Sequence, residues 1–331
     1  MTNLSRAKRQ MLRGAIAIIG PSGAGKTLGG LLLAYGMMKK KYPDLEDFDL
    51  WGKIGLVDTE HKRSLIYEGM MHQNVTIGQF WHYELNAPFS VDRYAQAFTE
   101  LKNVGAEVIV IDSTSHAWEG EGGVLDYQQQ LGGRFQDWNT ANKDAYAPMV
   151  SLFTGEKHDV HVINTVRAKQ EYAMQRNEFT EKMEVAKLGT KPVQRDSLEY
   201  EFQVVFNVDM DNKFRTSKDN SGLFKGKYEE LTPAHGAQLF DWLEAGVDIF
   251  AEKRAELERQ EKQRVGLIED IKKQVADFGL EAWFNETLKH AFFKGLALEQ
   301  MPLEMIEYVR KGLQGKMIEV ENQQKQTVEV E

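Results

Sequence analysis

A short segment near the N-terminus has the residue types and spacing of a phosphate-binding loop. It reads Gly20-Pro21-Ser22-Gly23-Ala24-Gly25-Lys26-Thr27, which matches the pattern Gly-x4-Gly-Lys-Thr. Glycines let the backbone curl until successive N–H groups face a common centre, where they can cradle phosphate oxygens. Lys26 would reach the β- and γ-phosphates of a nucleoside triphosphate, and the Thr27 hydroxyl would ligate Mg²⁺. The segment therefore predicts a binding site for ATP and Mg²⁺.

A second motif would place a carboxylate beside this loop. The apolar, β-branched run Val108–Ile111 is followed directly by Asp112. Such a run is typical of a buried strand, and ligands bind at the carboxyl ends of these strands. We therefore expect Asp112 to be the second protein ligand of Mg²⁺. The alternative is an aspartate that only ends a strand in a turn, and the phosphate-binding loop makes this the weaker interpretation.

A base for hydrolysis must come from another segment. Many ATPases with such a loop carry a glutamate directly after the strand aspartate, whereas this chain has Ser113. Glu60 comes shortly after the apolar run Ile54–Val57, so it would lie at the same sheet edge and could activate the attacking water. The alternative is a solvated loop glutamate. Asp58 is expected to cap or pack locally, and His61 to lie on the surface.

These motifs need a sheet that brings the ends of several strands together. The apolar runs are Ala15–Ile19, Ile54–Val57, Val108–Ile111, Val160–Ile163 and Phe202–Val208, and the helical patterns between them include Thr27–Lys40 and Val91–Asn103. Runs that are apolar on both faces indicate buried parallel strands, and alternation of strand and helix indicates an α/β fold. We expect a P-loop core with a mostly parallel sheet sandwiched by helices.

The character of the chain changes along its length. Residues 1–13 form a basic arm, residues 14–250 the core, residues 251–318 a small helical C-terminal region and residues 319–331 a disordered tail. In the C-terminal region we expect a charged connector helix over Ala251–Arg264. Shorter amphipathic helices would follow over Leu267–Phe278, Ala282–Phe293 and Leu303–Leu313.

The order of the motifs resembles that of the RecA family. After the phosphate-binding loop come Asp58–His61, then Val108–Ser113, then Val162–Arg167. A closer similarity is to the RecA-like ATPases of phage recombination modules, which are associated with single-strand annealing. The runs that carry this similarity are Arg167–Tyr172, Lys191–Asp196 and Leu198–Phe202. The resemblance covers residues 14–235 and implies a RecA-like ATPase core that acts on single-stranded DNA.

The resemblance also implies roles for single residues. It makes Glu60 the catalytic glutamate, and it places Asn164 and Thr165 at the sensor of the γ-phosphate. The family usually has glutamine at the second of these two positions, so Thr165 departs from the pattern. We expect Asn164 to contact the nucleotide.

RecA-fold ATPases usually bind the nucleotide between protomers, so the resemblance implies a homo-oligomer, either a ring or a filament. A cation from the neighbouring protomer then stabilises the charge that develops on the transferred phosphoryl group. The candidates are Arg195 and Lys218, with Lys169 and Arg167 behind them. For each of them the alternative is a surface or ion-paired cation.

Two long segments are candidates for contact with single-stranded DNA, because they interleave aromatic residues with cations. They are loops over residues 116–148 and 167–195, and the expected contacts are Arg134, Lys169, Tyr172 and Arg176. The alternative for the first loop is a packed insertion anchored by Trp118 and Trp138. The alternative for the second is a solvated flap or a contact between protomers.

The composition limits the other possibilities. The 331 residues carry a net charge of −9, so any nucleic-acid binding must come from a local basic patch. The chain contains no cysteine, which excludes metal sites with thiolate ligands. Since no stretch approaches the roughly 18 apolar residues of a membrane span, we expect a cytoplasmic protein that does not bind membranes. Two other functions stay open. One is a motor of the helicase or packaging kind, and the other is a nucleotide-gated adaptor that recruits a protein partner through its C-terminal helices.

Overall fold

The computed structural model describes residues 6–155, 158–176, 183–248, 251–293 and 296–328. The chain divides into two compact units, Met1–Asp248 and Ile249–Glu331. The sequence placed the start of the C-terminal region at residue 251. Within the described ranges, no helix is both long enough and apolar enough to cross a membrane.

The first unit is built on one large sheet. Its strands are β1 Ala15–Gly20, β2 Ile54–Asp58, β5 Trp81–Glu84, β6 Val108–Asp112, β7 His161–Arg176, β8 Met183–Pro192, β9 Val204–Val208, β10 Lys213–Asp219 and β11 Glu229–Glu230, while β3 Met71–His72 and β4 Val75–Thr76 pair separately. The order β9-β1-β7-β6-β2-β5 is parallel throughout. β8, β10 and β11 join the sheet by antiparallel pairing. The expected mixed α/β fold with a mostly parallel sheet is confirmed.

Helices cover both faces of this sheet because the strands are apolar on both sides. Along β6, Val108 and Val110 pack with α1 (Lys26–Lys41) and α8 (Pro233–Leu243), whereas Ile109 and Ile111 pack with α3 (Val91–Asn103) and α7 (Ala147–Phe153). Successive strand residues point to opposite faces of the sheet, so the residues of a single strand contribute to the apolar cores on both sides. The short helix α2 (Asp47–Trp51) adds Leu50 and Trp51 to the first core.

Residues 116–148 are not an open loop, which corrects the prediction from the sequence. They contain most of α4 (Ser115–Glu119), then α5 (Val124–Gln130), a 3-10 turn over Phe135–Asp137, α6 (Trp138–Ala141) and a π turn over Asn142–Tyr146. The Trp118 and Trp138 rings stack with centroids 6.0 Å apart, and Tyr146 meets Trp118 edge-on. Large aromatic surfaces bury well against one another, so this segment folds as the packed insertion that was the alternative interpretation.

The parts of residues 167–195 that the structure describes, 167–176 and 183–195, do not form an open loop either. β7 continues past the parallel sheet and pairs with β8 as an antiparallel hairpin, from Ala168 opposite Pro192 to Arg176 opposite Met183. Pairing the two strands satisfies the backbone groups that a loop would leave to water. The basic segment of the sequence is therefore presented on a hairpin that begins at the carboxyl edge of the sheet.

The basic arm is docked rather than free from Arg9 onward. Met11 and Leu12 donate backbone hydrogen bonds to Val247 and Leu243, both at 2.9 Å. The Arg13 guanidinium forms ion pairs with Asp159, at 2.6 Å, and with Glu244. These contacts tie residues 9–13 to the residues at the end of α8 and to Asp159, shortly before β7.

The second unit is helical and has its own apolar core. It contains α9 (Ala251–Asp277), α10 (Glu281–Leu288) and α11 (Leu303–Val328), packed through residues such as Ile271, Phe293 and Ile306. The expected connector and the helix after it form one continuous helix, α9. The backbone is helical over residues 319–328, where the sequence predicted a disordered tail. Glu, Gln and Lys favour helix, and that stretch contains neither proline nor glycine before Val328.

Candidate functional site

The phosphate-binding loop joins β1 to α1 through left-handed glycines. Gly23 and Gly25 have φ of 85° and 75°, a region that side chains other than glycine rarely adopt. At Gly20 a Cβ atom would lie 2.6 Å from the Val208 carbonyl oxygen, so the loop also needs glycine where it leaves the strand. α1 starts at Lys26, so its positive N-terminal end points toward the space that the loop encloses.

One cleft collects the residues that the sequence assigned to phosphate and metal. Ser22, Gly23, Gly25, Lys26 and Thr27 line one side of it, while Gly20, Pro21 and Ala24 lie in the loop but outside its wall. The same cleft is also lined by Glu60, Asp112, Arg167 and Lys169. The cleft has a volume of about 510 Å³, within the range of small-molecule sites.

The reactive end of Lys26 lies inside this cleft. Its ammonium group donates a hydrogen bond of 2.8 Å to the Pro21 carbonyl oxygen, and the residue is only 9% exposed. Burial lowers the pKa of Lys26, and the nearby carboxylates of Asp112 and Glu60 oppose that shift. An anion entering the cleft would add to the charges that favour the protonated ammonium.

Thr27 and Asp112 meet as the metal prediction requires. The Thr27 hydroxyl donates a hydrogen bond of 2.6 Å to Oδ2 of Asp112, although the two residues belong to α1 and β6. Burial raises the pKa of the Asp112 carboxyl, while hydrogen bonds from Thr165 and Thr27 oppose the shift. A cation beside this carboxylate would favour its charged form, so the pair fits Mg²⁺ in its donor chemistry.

Glu60 lies at the expected sheet edge and is largely buried, with 15% of its side chain exposed. Its Oε1 accepts hydrogen bonds from Nε of Arg167 at 2.7 Å and from the Ser113 hydroxyl at 3.5 Å. Arg63 approaches its other oxygen, with Nη1 3.8 Å from Oε2. Glu60 is therefore not the solvated loop glutamate of the alternative interpretation.

Asp58 fixes the turn that carries Glu60. Its carboxylate accepts hydrogen bonds from the Glu60 backbone N–H at 2.7 Å, from the Ser64 hydroxyl at 2.5 Å and from the Ser64 backbone N–H at 3.1 Å. Nε2 of His82 lies 3.3 Å from the same carboxylate. The expectation that Asp58 packs locally is confirmed. Burial alone would raise the pKa of Asp58, but these partners together hold it at about 2.

Replacing Asp58 with asparagine should flatten the dependence of stability on acidic pH. Because the pKa of Asp58 is lower in the folded chain than in the unfolded chain, its ionised form stabilises the fold above about pH 4. That contribution is lost as the pH falls toward 2. Between about pH 5 and pH 3, wild type should lose about 1 kcal/mol more unfolding free energy than Asp58→Asn. Urea unfolding at both pH values measures this, and parallel losses would contradict the assigned role.

Asn164 does not line the cleft, which corrects the assignment made from the resemblance. Its amide donates hydrogen bonds to the carbonyl oxygens of Ile16 at 3.1 Å and Phe153 at 3.0 Å, inside the core. Because adjacent strand residues face opposite ways, Thr165 points toward the site instead and donates a 2.5 Å hydrogen bond to Oδ1 of Asp112.

The two leading cations lie outside the cleft of their own chain. Arg195 binds Asn142 at 2.8 Å and stacks over Tyr146 at 4.6 Å, while Lys218 binds the Tyr200 carbonyl oxygen at 2.5 Å. By contrast, Arg167 and Lys169 line the cleft. The cations ranked second from the sequence are therefore the ones that this chain places beside its own phosphate-binding loop.

The expected nucleic-acid contacts fall in separate places. Lys169 is 70% exposed at the rim of the cleft and forms an ion pair of 3.0 Å with Glu119. Arg134 lies on the packed insertion, 67% exposed, and pairs with Asp137 at 3.2 Å. The side chains of Tyr172 and Arg176 lie outside the described residues, although β7 includes both positions.

The predictions from the sequence also missed one segment of the cleft wall, whose polar members are Arg63 and Tyr67. Both lie on a 3-10 turn, Arg63–Tyr67, that follows Glu60. Burial raises the pKa of the Tyr67 hydroxyl, the Asp112 charge adds to the shift, and a hydrogen bond with Thr27 opposes it. The sequence feature that could have indicated these two residues is their position shortly after Glu60, the expected base.

In the described parts of the chain, no group of three or more His, Cys, Asp or Glu side chains is arranged to hold a metal ion. A nucleotide-bound Mg²⁺ does not need such a group, since phosphate oxygens, a hydroxyl and one carboxylate can supply its ligands. A scan of the chain against protein-family models found no match, and a search of curated proteins found no significant one. The functional interpretation therefore depends on the geometry of the cleft.

Proposed function

We propose that this chain is an ATPase with a RecA-like core, which binds ATP with Mg²⁺ and hydrolyses it. The observation that carries the proposal is the meeting of Lys26, Thr27, Asp112 and Glu60 in one cleft. These residues come from three segments that are far apart in sequence. Each has the chemistry that phosphoryl transfer needs at its position.

The phosphate groups would be held by the loop and α1. Backbone N–H groups from Ser22 to Gly25 and the positive end of α1 suit the β- and γ-phosphates. The Lys26 ammonium group, now bonded to the Pro21 carbonyl oxygen, would turn to the phosphate oxygens. Thr27 and Asp112 would hold Mg²⁺, which when bound neutralises part of the charge on the phosphates.

Glu60 would orient the attacking water. Its carboxylate accepts the proton of the water as the new phosphorus–oxygen bond forms and the bond to the leaving ADP breaks. Its turn is fixed by Asp58, so the carboxylate is held at the carboxyl edge of the sheet, on the same side as Asp112. Fixed geometry of this kind is what makes a general base effective.

We propose further that the ATPase acts on single-stranded DNA, as in phage recombination, and assembles with copies of itself. The β7–β8 hairpin supports this proposal because it rises directly from the nucleotide cleft. The segment over residues 167–195 holds seven Lys or Arg against four Glu, in a chain whose net charge is −9. A local positive excess next to the cleft could couple a polymer to nucleotide turnover.

The double replacement of Lys169 and Arg176 with alanine tests the DNA part of the proposal. It should weaken binding of single-stranded DNA and lower the slope of log affinity against log salt by up to about two. Fluorescence anisotropy with a labelled oligonucleotide over a salt series measures both quantities. Replacing Arg259 and Lys262 on α9 removes the same charge elsewhere and serves as the control. An unchanged affinity and slope in the folded hairpin variant would locate DNA binding elsewhere.

A further inference from the structure

The expected catalytic base is already engaged by another residue of the cleft. Both Nε and Nη2 of Arg167 lie against the same oxygen of Glu60, Oε1, at 2.7 and 2.6 Å. The pair is mostly shielded, since Glu60 is 15% and Arg167 39% exposed. In this arrangement the Arg167 guanidinium occupies Oε1, the oxygen that would otherwise accept a hydrogen bond from a water molecule.

The backbone of Arg167 is anchored on three sides while its side chain crosses the cleft. Arg167 is the last residue of β7 opposite β1, paired with Gly20 of the phosphate-binding loop. Its N–H donates to the Ser115 hydroxyl at 2.9 Å, and its carbonyl oxygen accepts from Val193 at 2.7 Å. A change of ionic partner at the guanidinium therefore needs only side-chain rotation.

The site offers a second anion to this guanidinium when a nucleotide is bound. Arg167 lines the same cleft as Lys26 and Thr27, where the terminal phosphate would lie. A guanidinium presents a planar fork that fits a phosphate as well as a carboxylate, often through two hydrogen bonds. A γ-phosphate carries more charge than Glu60, and ADP lacks it.

We propose that Arg167 is a positioning residue that exchanges the Glu60 carboxylate for the γ-phosphate of bound ATP. In the nucleotide-free chain it holds the base; when ATP binds, it turns to the phosphate and releases Glu60 to the attacking water. This inference rests on the proposed ATPase function.

A double-mutant cycle on nucleotide affinity tests the exchange. The dissociation constants of a non-hydrolysable ATP analogue and of ADP are measured with Mg²⁺ for wild type, Glu60→Gln, Arg167→Gln and the double variant. Glu60→Gln frees Arg167, so it should tighten binding of the analogue about tenfold in the wild-type background and less than about twofold in the Arg167→Gln background. Binding of ADP should change little throughout.

The cycle separates the exchange from simple charge repulsion. If Glu60 only repels the phosphate, its replacement tightens binding equally with or without Arg167, and that result would overturn the proposal. Arg215→Gln is the matched control, since Arg215 is exposed and stacks over Tyr228 at 4.3 Å, away from the cleft. It should leave the tenfold effect of Glu60→Gln intact.

A conservative variant keeps the test decisive if Arg167→Gln does not fold. Arg167→Lys keeps the charge but not the fork, so it should show a smaller effect of Glu60→Gln than wild type and weaker discrimination of the analogue from ADP. If Glu60→Gln tightens binding of the analogue as much in the Arg167→Lys background as in wild type, the proposed exchange is overturned. If the wild-type protein binds and hydrolyses ATP but the cycle shows no coupling between Glu60 and Arg167, only this inference is refuted. If the wild-type protein binds no nucleotide, the proposed function itself is refuted.

Discussion

Replacing Lys26 with alanine should lower the rate of ATP hydrolysis by about a thousandfold or more. Lys26 belongs to the loop itself, and under the proposed function its ammonium group, now bonded to the Pro21 carbonyl oxygen, would neutralise charge that develops on the transferred phosphoryl group. Removal of one such donor costs about 10² to 10³ in turnover, and the loss of a full charge should reach the upper end. Steady-state release of phosphate with saturating MgATP measures the effect.

Lys39→Ala is the matched control for this experiment. Lys39 lies on the same helix, is 44% exposed and pairs with Asp47 at 3.7 Å, far along α1 from the loop. It should hydrolyse ATP at the wild-type rate. A folded Lys26→Ala protein that keeps turnover within about threefold of wild type would remove the loop from the reaction.

Replacing Glu60 with glutamine should abolish turnover while ATP still binds. Glutamine keeps the size of the side chain and can still accept a hydrogen bond, but it cannot take a proton from water. General-base catalysis contributes about 10² to 10⁴ to rate, so hydrolysis should fall by at least a hundredfold. Equilibrium binding of ATP and single-turnover hydrolysis, measured on the same preparation, separate the two effects.

Glu84→Gln provides the comparison for Glu60. Glu84 ends the neighbouring strand β5, opposite Asp58, and pairs with Lys62 at 3.0 Å on the outside of the cleft. It should leave both binding and hydrolysis near wild type. Normal hydrolysis by Glu60→Gln would mean that another group activates the water, and the RecA-like interpretation would lose its main support.

Local patterns in the sequence were enough to predict the central sheet and the core of the site. The apolar runs of β1, β2 and β6 are buried on both faces, and each of the last two is followed closely by a carboxylate. Parallel strands bring those carboxylates to one edge, so Asp112 and Glu60 could be placed beside Lys26 without a structure. These predictions depend only on neighbours in sequence and on the direction of the strands.

The predictions that failed depended on contacts between distant residues. The glycines and polar residues of 116–148 resemble a loop, and contacts between residues far apart in the segment, such as the stacking of Trp118 on Trp138, make it a packed insertion. Asn164 and Thr165 are adjacent on β7, so their side chains point to opposite faces of the sheet. The motif does not specify which of the two side chains points toward the cleft. The Arg167–Glu60 pair joins residues 107 positions apart, so no local sequence pattern predicts it.

The most direct test of the account is release of inorganic phosphate from ATP by the intact chain with Mg²⁺, with and without single-stranded DNA, beside Lys26→Ala. We expect many turnovers per wild-type chain, faster turnover with DNA at low salt, and almost none from the variant. Folded wild-type protein that releases no phosphate in either condition, or a variant that matches it, would contradict the assignment of the cleft as an ATPase site.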